Sequence, residues 1–373
     1  MTVTGGGRFF KYDNSLIGEF GFGRDFNGPP YNAAGSSRTG VAGCYTTTGA
    51  VVRDNPTGTL LPPNVPGSFC TNLGTFVNGK VVPKDANDTG ETYKANATWR
   101  IDPDHMVYAT VSRGFRPGGI NRRAGLDPYA SDFLENYELG FKTSWFDRAL
   151  KINGALFWQD WSAFQFAFLG ANSFTEIHNG PNARIKGVEA DVNWTVARGL
   201  TLSSSGTYTD AKTRSVLCAV NGTSGDCTTA GPSGVANYIQ APAGTRLPIT
   251  PQFKINGVAR YETPLTDALK GHIQGVVVHS SSASSDIRTQ SIAPGTGAFY
   301  NPAAGLGRLA AYTTFDFALG LNWPFLSAEV VIENAFDKRA ELSRYQECGS
   351  CFQRPYVVAN LPRTIGLRLG HSF

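Results

Sequence analysis

Residues 136–145 read NYELGFKTSW, in which apolar and polar side chains alternate along the chain. In an extended conformation one side would carry Tyr137, Leu139 and Phe141, and the other would carry Glu138 and Lys142. Successive side chains of a β-strand point to opposite faces, so this period of two indicates a strand with one apolar and one ionic face. Its length of about ten residues is that of a strand that crosses a membrane in a β-barrel.

The same alternation recurs along the whole chain. Further segments that show it are residues 3–10, 92–101, 107–113, 150–158, 186–194, 200–208, 253–261, 273–280, 313–323, 326–333 and 364–373. Together they predict about twelve strands of the length that a membrane barrel requires. We therefore expect an all-β fold, in which residues 1–373 form part of an antiparallel transmembrane β-barrel.

The connections between these segments alternate in length. Short turns lie at residues 102–104, 147–148, 197–199 and 324–325, with a slightly longer one at 263–270. Long polar segments lie between them, at residues 24–90, 115–131, 172–181, 212–250, 281–309 and 336–362. Outer-membrane barrels have short periplasmic turns and longer extracellular loops. We therefore expect residues 24–90 to form one long extracellular loop.

Aromatic residues mark one end of the apolar face, where strands run into short turns. They are Trp99, Trp145, Trp194, Tyr261 and Trp323. A ring with one polar atom favours the lipid–water boundary, so this row predicts a membrane girdle. The alternative is a soluble sheet whose core tryptophans share one end.

The opposite face carries charged side chains in most strands. We predict a wet lumen, or contact with a plug, for Arg100, Glu138, Lys142, Glu189, Asp191 and Arg260. Arg113 is expected on the same face. In a barrel these groups stay hydrated while the other face meets lipid. Alternation alone also fits a soluble sheet, but the strand number, the loop asymmetry and the aromatic row together favour the barrel.

Bulk properties exclude several classes of protein. No run of about 18 apolar residues predicts a transmembrane helix. The net charge of +4 is spread along the chain, which argues against a nucleic-acid-binding surface. The five histidines lack metal-ligand spacing, and no serine–histidine–aspartate spacing indicates catalysis. We predict no enzymatic activity, no metal site and no cofactor.

The six cysteines form three neighbouring pairs in loop-like surroundings: Cys44 with Cys70, Cys218 with Cys227, and Cys348 with Cys351. An even number of cysteines in such segments favours disulfides and an oxidising compartment. The spacing of the last pair also fits a redox or metal motif. That pair lacks both the βαβ context of the redox motif and the second ligand pair of a zinc site.

Five segments together resemble the C-terminal barrel of TonB-dependent receptors. They are SRGFRPGGIN at residues 112–121, NYELGFK at 136–142, IKGVEA at 185–190, ENAFDK at 333–338 and PRTIGLRL at 362–369. They follow the order that the family shows. The resemblance implies a receptor in the outer membrane of a Gram-negative bacterium. Such a receptor takes up a scarce ligand, here a ferric siderophore, with energy from the TonB complex.

Members of that family are plugged barrels of about 22 strands. The resemblance therefore implies a plug domain, a TonB box and about ten further strands ahead of Met1. Val3 already reads as the interior of a strand, and no signal peptide follows Met1. We expect a fragment, because two unpaired sheet edges are untenable in lipid. The alternatives are a small closed barrel of about twelve strands, a passive channel or structural barrel without a plug, and a soluble binding module.

The resemblance also suggests roles for residues at the barrel ends. An anionic ferric chelate at the outer rim would favour contacts with Arg113, Arg116, Asn121, Arg122 and Arg123. Solvated loop arginines would give the same pattern. The alternating strand that ends at Phe373 resembles the signal of the barrel assembly machinery, which would pair with the exposed strand. Expected partners are thus outer-membrane lipid, the assembly machinery, the TonB complex and a small-molecule ligand.

Overall fold

A computed structural model describes residues 1–16, 74–77, 80–121, 127–169, 175–218, 227, 238–290, 306–346 and 355–371. The strands in these ranges are β1 Thr2–Leu16, β2 Gly74–Val77, β3 Lys80–Arg100, β4 His105–Arg116, β5 Asp132–Trp145, β6 Leu150–Ser162, β7 Gln165–Leu169, β8 Thr175–Asn179, β9 Ala183–Ala197, β10 Leu200–Thr213, β11 Leu217–Cys218, β12 Ile239–Ala241, β13 Phe253–Thr266, β14 Leu269–Ser280, β15 Ala283–Ser284, β16 Arg308–Leu309, β17 Tyr312–Asn322, β18 Leu326–Glu333, β19 Glu341–Gln346, β20 Pro355–Ala359 and β21 Thr364–His371. A 3-10 helix covers Ile287–Gln290. Within these ranges no helix has the length and apolar character needed to cross a membrane.

Twelve of the strands form one continuous antiparallel sheet. Their order is β1-β3-β4-β5-β6-β9-β10-β13-β14-β17-β18-β21, and β2 pairs with β3 beside this path. Each long strand therefore pairs with the long strands before and after it along the chain, as in an up-and-down barrel wall. The expected all-β class and the expected number of strands are confirmed.

The pairing register shows what the alternating sequence builds. Directly opposed residues of antiparallel strands lie on the same face of a sheet. Leu139 of β5 is opposed to Leu156 of β6, which is opposed to Val188 of β9. Apolar side chains thus form continuous rows on one face, which we call the apolar face; the other is the polar face. These rows are uncovered, since Leu139 and Leu156 are each 57% exposed. Such an extended apolar surface is unfavourable in water and favourable against lipid.

The connections fall into two groups, as the alternating lengths predict. At one end of the sheet, the turn end, short links join β3 to β4, β5 to β6, β9 to β10, β13 to β14 and β17 to β18. Gly199, in the link between β9 and β10, has a φ of +80°, and a Cβ there would lie 2.0 Å from the carbonyl oxygen of Glu262. Only glycine fits that tight turn. The opposite end, where β4, β6, β10 and β14 finish, is called the loop end.

The C-terminal part of the segment expected as a loop, residues 80–90, is already strand, and the extracellular position of residues 24–90 stays a prediction. β3 already begins at Lys80, and it pairs with β1 as far as Leu16 opposite Lys84. Residues 85–91 are mostly polar on both faces, so the apolar–polar alternation is lost although the backbone ladder continues. A strand that extends beyond a bilayer has water on both sides, which explains this pattern.

The loop end has packing of its own. Four two-stranded hairpins, β7–β8, β11–β12, β15–β16 and β19–β20, lie there, largely within segments predicted as loops. A small core packs among them and the strand ends: Phe164, Ala183, Ala211, Leu217, Ala241, Leu247 and Ile287. Strands of two to six residues are too short to show a period, so sequence patterning does not reveal these hairpins.

Candidate functional site

The polar face of the sheet gathers the residues predicted to line a lumen. Cross-strand pairs connect Arg100 to Met106 and on to Lys142, and then through Asn153 to Asp191. The same face carries Glu138, Glu189 and Arg260. All six predicted lumen residues therefore share one side of the wall.

A concavity of about 690 Å³ lies in the polar face between β5 and β13. Its lining includes the cations Lys142 and Lys254 and the carboxylates Glu189 and Asp191. Nδ2 of Asn153 donates a hydrogen bond of 2.9 Å to Oδ2 of Asp191, which fixes that carboxylate. A wall of balanced charge, interspersed with hydroxyl and amide groups, suits a polar partner held by many individually weak contacts.

A tyrosine crosses the polar face beside this concavity. The phenol ring of Tyr108 lies over Gly140, where a Cβ would come within 2.4 Å of the ring. The Tyr108 hydroxyl donates a hydrogen bond of 2.7 Å to Oε1 of Glu138. The missing side chain at position 140 thus makes room for a ring that orients one of the predicted lumen carboxylates.

A second ionic network lies on the polar face toward the last strands. Cross-strand pairs join His272, Gly320, Glu329 and Arg368 in one row. Nε2 of His272 lies 2.9 Å from Oε1 of Glu329, and Nη1 of Arg368 donates to Oε2 of the same carboxylate at 3.1 Å. His272 is only 6% exposed. Sequence reasoning treated the histidines as scattered, because a cross-strand contact is visible only once the register is known.

Arg116, a predicted ligand residue, is half exposed at the loop end and forms an ion pair with the buried Asp132. Its Nε donates to Oδ1 and Oδ2 of Asp132 at 3.1 and 3.0 Å, and its Nη2 also donates to Oδ2. Asp132 is 2% exposed and accepts further bonds of 3.0 Å from Trp161 Nε1 and from the backbone N–H of Gln165. The arginine thus stabilises the fold here. Asp132 was missed because an aspartate after a polar segment reads as a loop residue.

The other predicted ligand residues do not converge on this arginine. Arg113 is opposed to Tyr93 and to Glu135, so it lies on the apolar face; its expected position on the polar face is wrong. The guanidinium carbon of Arg113 lies 4.4 Å above the ring of Phe133. The Asn121 amide donates to the carbonyl of Ile177 at 2.8 Å and accepts from its N–H, which ties two loops together. Arg122 and Arg123 lie outside the described residues.

The five predicted girdle aromatics are all open to the surroundings. Exposed fractions run from 39% to 56% for Trp99, Trp145, Trp194, Tyr261 and Trp323. Trp145 is the last residue of its strand, and Trp323 directly follows another. None of the five is shielded inside a packed interior.

Two further predictions concern residues near the chain ends and in the loops. Cys218, beside the small core of the loop end, is joined to Cys227 by a disulfide. Cys44, Cys70, Cys348 and Cys351 lie outside the described residues, as does Phe373. Within the described ranges, no three histidine, cysteine, aspartate or glutamate side chains are grouped as metal ligands.

Comparisons with known proteins agree with this architecture. A sequence model of the TonB dependent receptor-like β-barrel family matches residues 2–335. The chain is 23% identical over 301 residues to the pesticin receptor of Yersinia pestis, which covers 77% of this chain and 37% of the relative. It is similar to the crystal structure of the ferric yersiniabactin uptake receptor FyuA from Yersinia pestis, with a TM-score of 0.58, 20% identity, and coverage of 80% of this chain and 40% of that one. For the closed form of Fiu, a ferric-catecholate import receptor from E. coli, the TM-score is 0.55 at 16% identity, over 100% of this chain and 42% of that one.

The chain thus spans about two fifths of the length of these relatives. At such low identity the solved structures show a shared fold. The family consists of receptors and transporters of the Gram-negative outer membrane rather than enzymes. The family match covers most of the chain, and the twelve-stranded antiparallel sheet agrees with it. The chain belongs to the TonB-dependent receptor-like β-barrel family.

Proposed function

We propose that the chain forms the C-terminal part of an outer-membrane receptor for active, TonB-dependent uptake of a scarce ligand, a ferric siderophore. The observation that carries the proposal is a wall of twelve antiparallel strands with one exposed apolar face and one charged face. Lipid on one side and an aqueous lumen on the other satisfy both faces. The ligand class is supported by similar structures, which are those of a ferric yersiniabactin receptor, a siderophore receptor and a ferric-catecholate receptor.

The rest of the receptor would supply the remaining strands and the plug. In the described part of the chain, β1 and β21 each pair on one side only. An open strand edge is costly within a bilayer, because no water is present to satisfy its backbone groups. We infer that about ten further strands complete a barrel of about 22. The TonB complex would then act through a region outside this chain.

The polar face would meet the plug and the passing ligand. Its balanced concavity, with Lys142 and Lys254 against Glu189 and Asp191, suits a plug that must be released when energy is supplied. Solvated ion pairs contribute only about 0–1 kcal/mol each, so such a contact can be broken stepwise. Of the predicted ligand residues, the exposed part of Arg116 remains a candidate for ligand contact at the rim, while Asn121 is buried between two loops. Arg122 and Arg123, which lie outside the described residues, stay predictions. Arg113 is withdrawn from that group because it faces outward.

The faces of the wall would also fix its position in the membrane. The five girdle aromatics would lie at the periplasmic interface, where indole and phenol groups are favoured. Phe373, which lies outside the described residues, would serve the barrel assembly machinery as an aromatic recognition signal.

Uptake of radiolabelled iron tests the proposal directly. Iron-starved cells with the intact gene should accumulate iron from at least one of a set of ferric siderophores, and cells that lack the gene or TonB should not. The pair Glu189→Gln with Asp191→Asn should reduce uptake, whereas Lys151→Gln, on the polar face at the turn end, should not. Uptake that does not need TonB, with open conductance in planar bilayers, would instead indicate a passive channel. A protein that is monodisperse in plain buffer would indicate a soluble module.

A further inference from the structure

The apolar face changes chemistry in regular steps toward the loop end. One cross-strand row on β5, β6 and β9 consists of Leu139, Leu156 and Val188. The next row toward the loop end is Tyr137, Trp158 and Lys186, and the one after it is Glu135, Asp160 and Arg184. Adjacent rows on one face are two residues apart, about 7 Å along the strand. Within that short distance the surface passes from aliphatic to aromatic and then to ionic.

This sequence of rows corresponds to the profile of a lipid leaflet. Aliphatic side chains match acyl chains, indole and phenol rings match the interface, and charged groups match the headgroup region. The charged side chains point outward, away from the lumen, because each lies an even number of residues from an exposed apolar residue on its own strand. A ligand that passes through the lumen therefore does not account for them.

On the outward face of β4, β5, β6, β9 and β10 near the loop end, cationic groups exceed carboxylates. The five cations are Arg113, Arg184, Lys186, Lys212 and Arg214, and the three carboxylates are Glu135, Asp160 and Asp210. Lys212 is paired with Asp210 at 2.8 Å, and both Arg184 and Arg214 share Asp160. An excess of positive charge at headgroup level favours an anionic lipid.

Five of these residues form one contact group, which we call the Trp158 cluster: Trp158, Asp160, Arg184, Lys186 and Arg214. The guanidinium carbon of Arg184 lies 4.3 Å from the centre of the Trp158 ring, and Nζ of Lys186 lies 5.8 Å from it. Asp160 accepts bonds from Arg184 at 2.7 and 3.0 Å and from Trp158 Nε1 at 3.1 Å. Arg214 lies at 3.9 Å from the same carboxylate. The cations are thus held around an outward-facing indole.

A polar cavity adjoins the cluster. It has a volume of about 450 Å³, and its lining includes Asp160, Arg214, Ser162, Asn182 and Ser215. Two hydroxyls, an amide and a guanidinium group are the donors and acceptors that bind sugar hydroxyls and phosphate oxygens. The indole of Trp158, which donates a hydrogen bond to Asp160 of the cavity lining, can cover the apolar side of a sugar ring.

We propose that the Trp158 cluster binds the phosphorylated saccharide headgroup of an outer-leaflet glycolipid. The acyl chains lie along the aliphatic rows, the phosphate meets Lys186 and Arg214, and the sugar enters the adjoining cavity. A free anion would make no use of the aliphatic and aromatic rows. The inference rests on the outer-membrane location proposed above, but not on the identity of the transported ligand.

The test measures glycolipid retained by the complete receptor after mild detergent extraction from outer membranes, by native mass spectrometry. The variant Lys186→Gln with Arg214→Gln keeps Arg184, which neutralises Asp160. It should retain about tenfold less glycolipid, because two charge-assisted contacts to phosphate are lost. Lys186→Arg with Arg214→Lys should restore retention. The matched control Lys151→Gln changes the same type of charge on the same strand as Trp158, but on the opposite face, and should retain as much as the wild type.

Two results would overturn the inference. One is unchanged glycolipid retention in the double variant while heat-modifiable gel migration shows that it is folded. The other is equal displacement of the glycolipid by vesicles of phosphatidylglycerol, which would mean that any anionic lipid suffices. Siderophore uptake is measured on the same variants. If the double variant loses glycolipid but even the wild type takes up no siderophore, this inference stands and the proposed ligand class, a ferric siderophore, is rejected.

Discussion

Removal of the Asp132 carboxylate should destabilise the loop end more than removal of Arg116, its partner. The variant Asp132→Ala leaves the Trp161 indole N–H and the Gln165 backbone N–H without their acceptor. An unsatisfied buried donor costs about 1–3 kcal/mol. Arg116 is half exposed, so water can solvate its guanidinium group once Asp132 is gone. The lost ion pair therefore adds little to the destabilisation. The expected loss is about 3 kcal/mol in the free energy of unfolding.

Arg116→Gln should cost less, about 1–2 kcal/mol, because Asp132 keeps two N–H donors. Urea unfolding of the receptor in lipid vesicles measures both values, with the heat-modifiable gel band as the readout of folded protein. The double variant completes a cycle, and the coupling between the two positions should be at least about 1 kcal/mol. An Asp132→Ala protein that unfolds within about 0.5 kcal/mol of the wild type would refute the reasoning. A loss of ligand binding by Arg116→Gln without any loss of stability would restore the role predicted from sequence.

Three further outcomes are expected. Gly140→Val should lower the free energy of unfolding by about 1–3 kcal/mol, because its side chain would displace the Tyr108 ring. The backbone N–H of Arg363 donates to Asp337 and holds the pKa of that carboxyl below its usual range. The stability it contributes is present above the unfolded pKa of about 4 and is lost as the pH falls through the lower folded pKa, so Asp337→Asn should flatten the acid limb of an unfolding curve. Trp145 should be quenched by lipids with brominated acyl chains, since it is exposed on the apolar face.

The glycine and tryptophan tests each have a matched control. Gly114→Val adds the same side chain at a strand position where nothing lies within 4 Å of a new Cβ, so stability should change little. Trp161, bonded to Asp132 on the other side of the wall, should escape brominated lipid. If Trp161 is quenched and Trp145 is not, the assignment of the two faces is reversed.

The middle of each strand could be predicted from sequence, and the ends could not. A strand between lipid and water must alternate apolar and polar side chains, so the pattern of residues 136–145 predicts a strand. Beyond the bilayer both faces meet water, and residues 80–90 continue as strand with no pattern to show it. Contacts across strands depend on register, which sequence alone leaves open. For that reason neither the pairing of His272 with Glu329 nor the pairing of Arg116 with Asp132 could be predicted from the sequence.

The misplaced Arg113 shows how a barrel wall should be read. Its charge suggested a position in the lumen. However, Arg113 lies two residues from Val111 on the same strand and is paired with Tyr93, which places its side chain on the outward, apolar face. Because the strand is regular, alternate residues lie on the same side of the wall. The residue types on that side then change with depth in the membrane. An arginine on the lipid side is unfavourable at mid-membrane and favourable at the headgroups. Arg113 and Arg116 are three residues apart on one strand, and they serve opposite sides of the wall. A cation near the end of a barrel strand is therefore best assigned by its distance in residues from a neighbour whose face is known. An even number of residues places both side chains on the same face, whatever the charge.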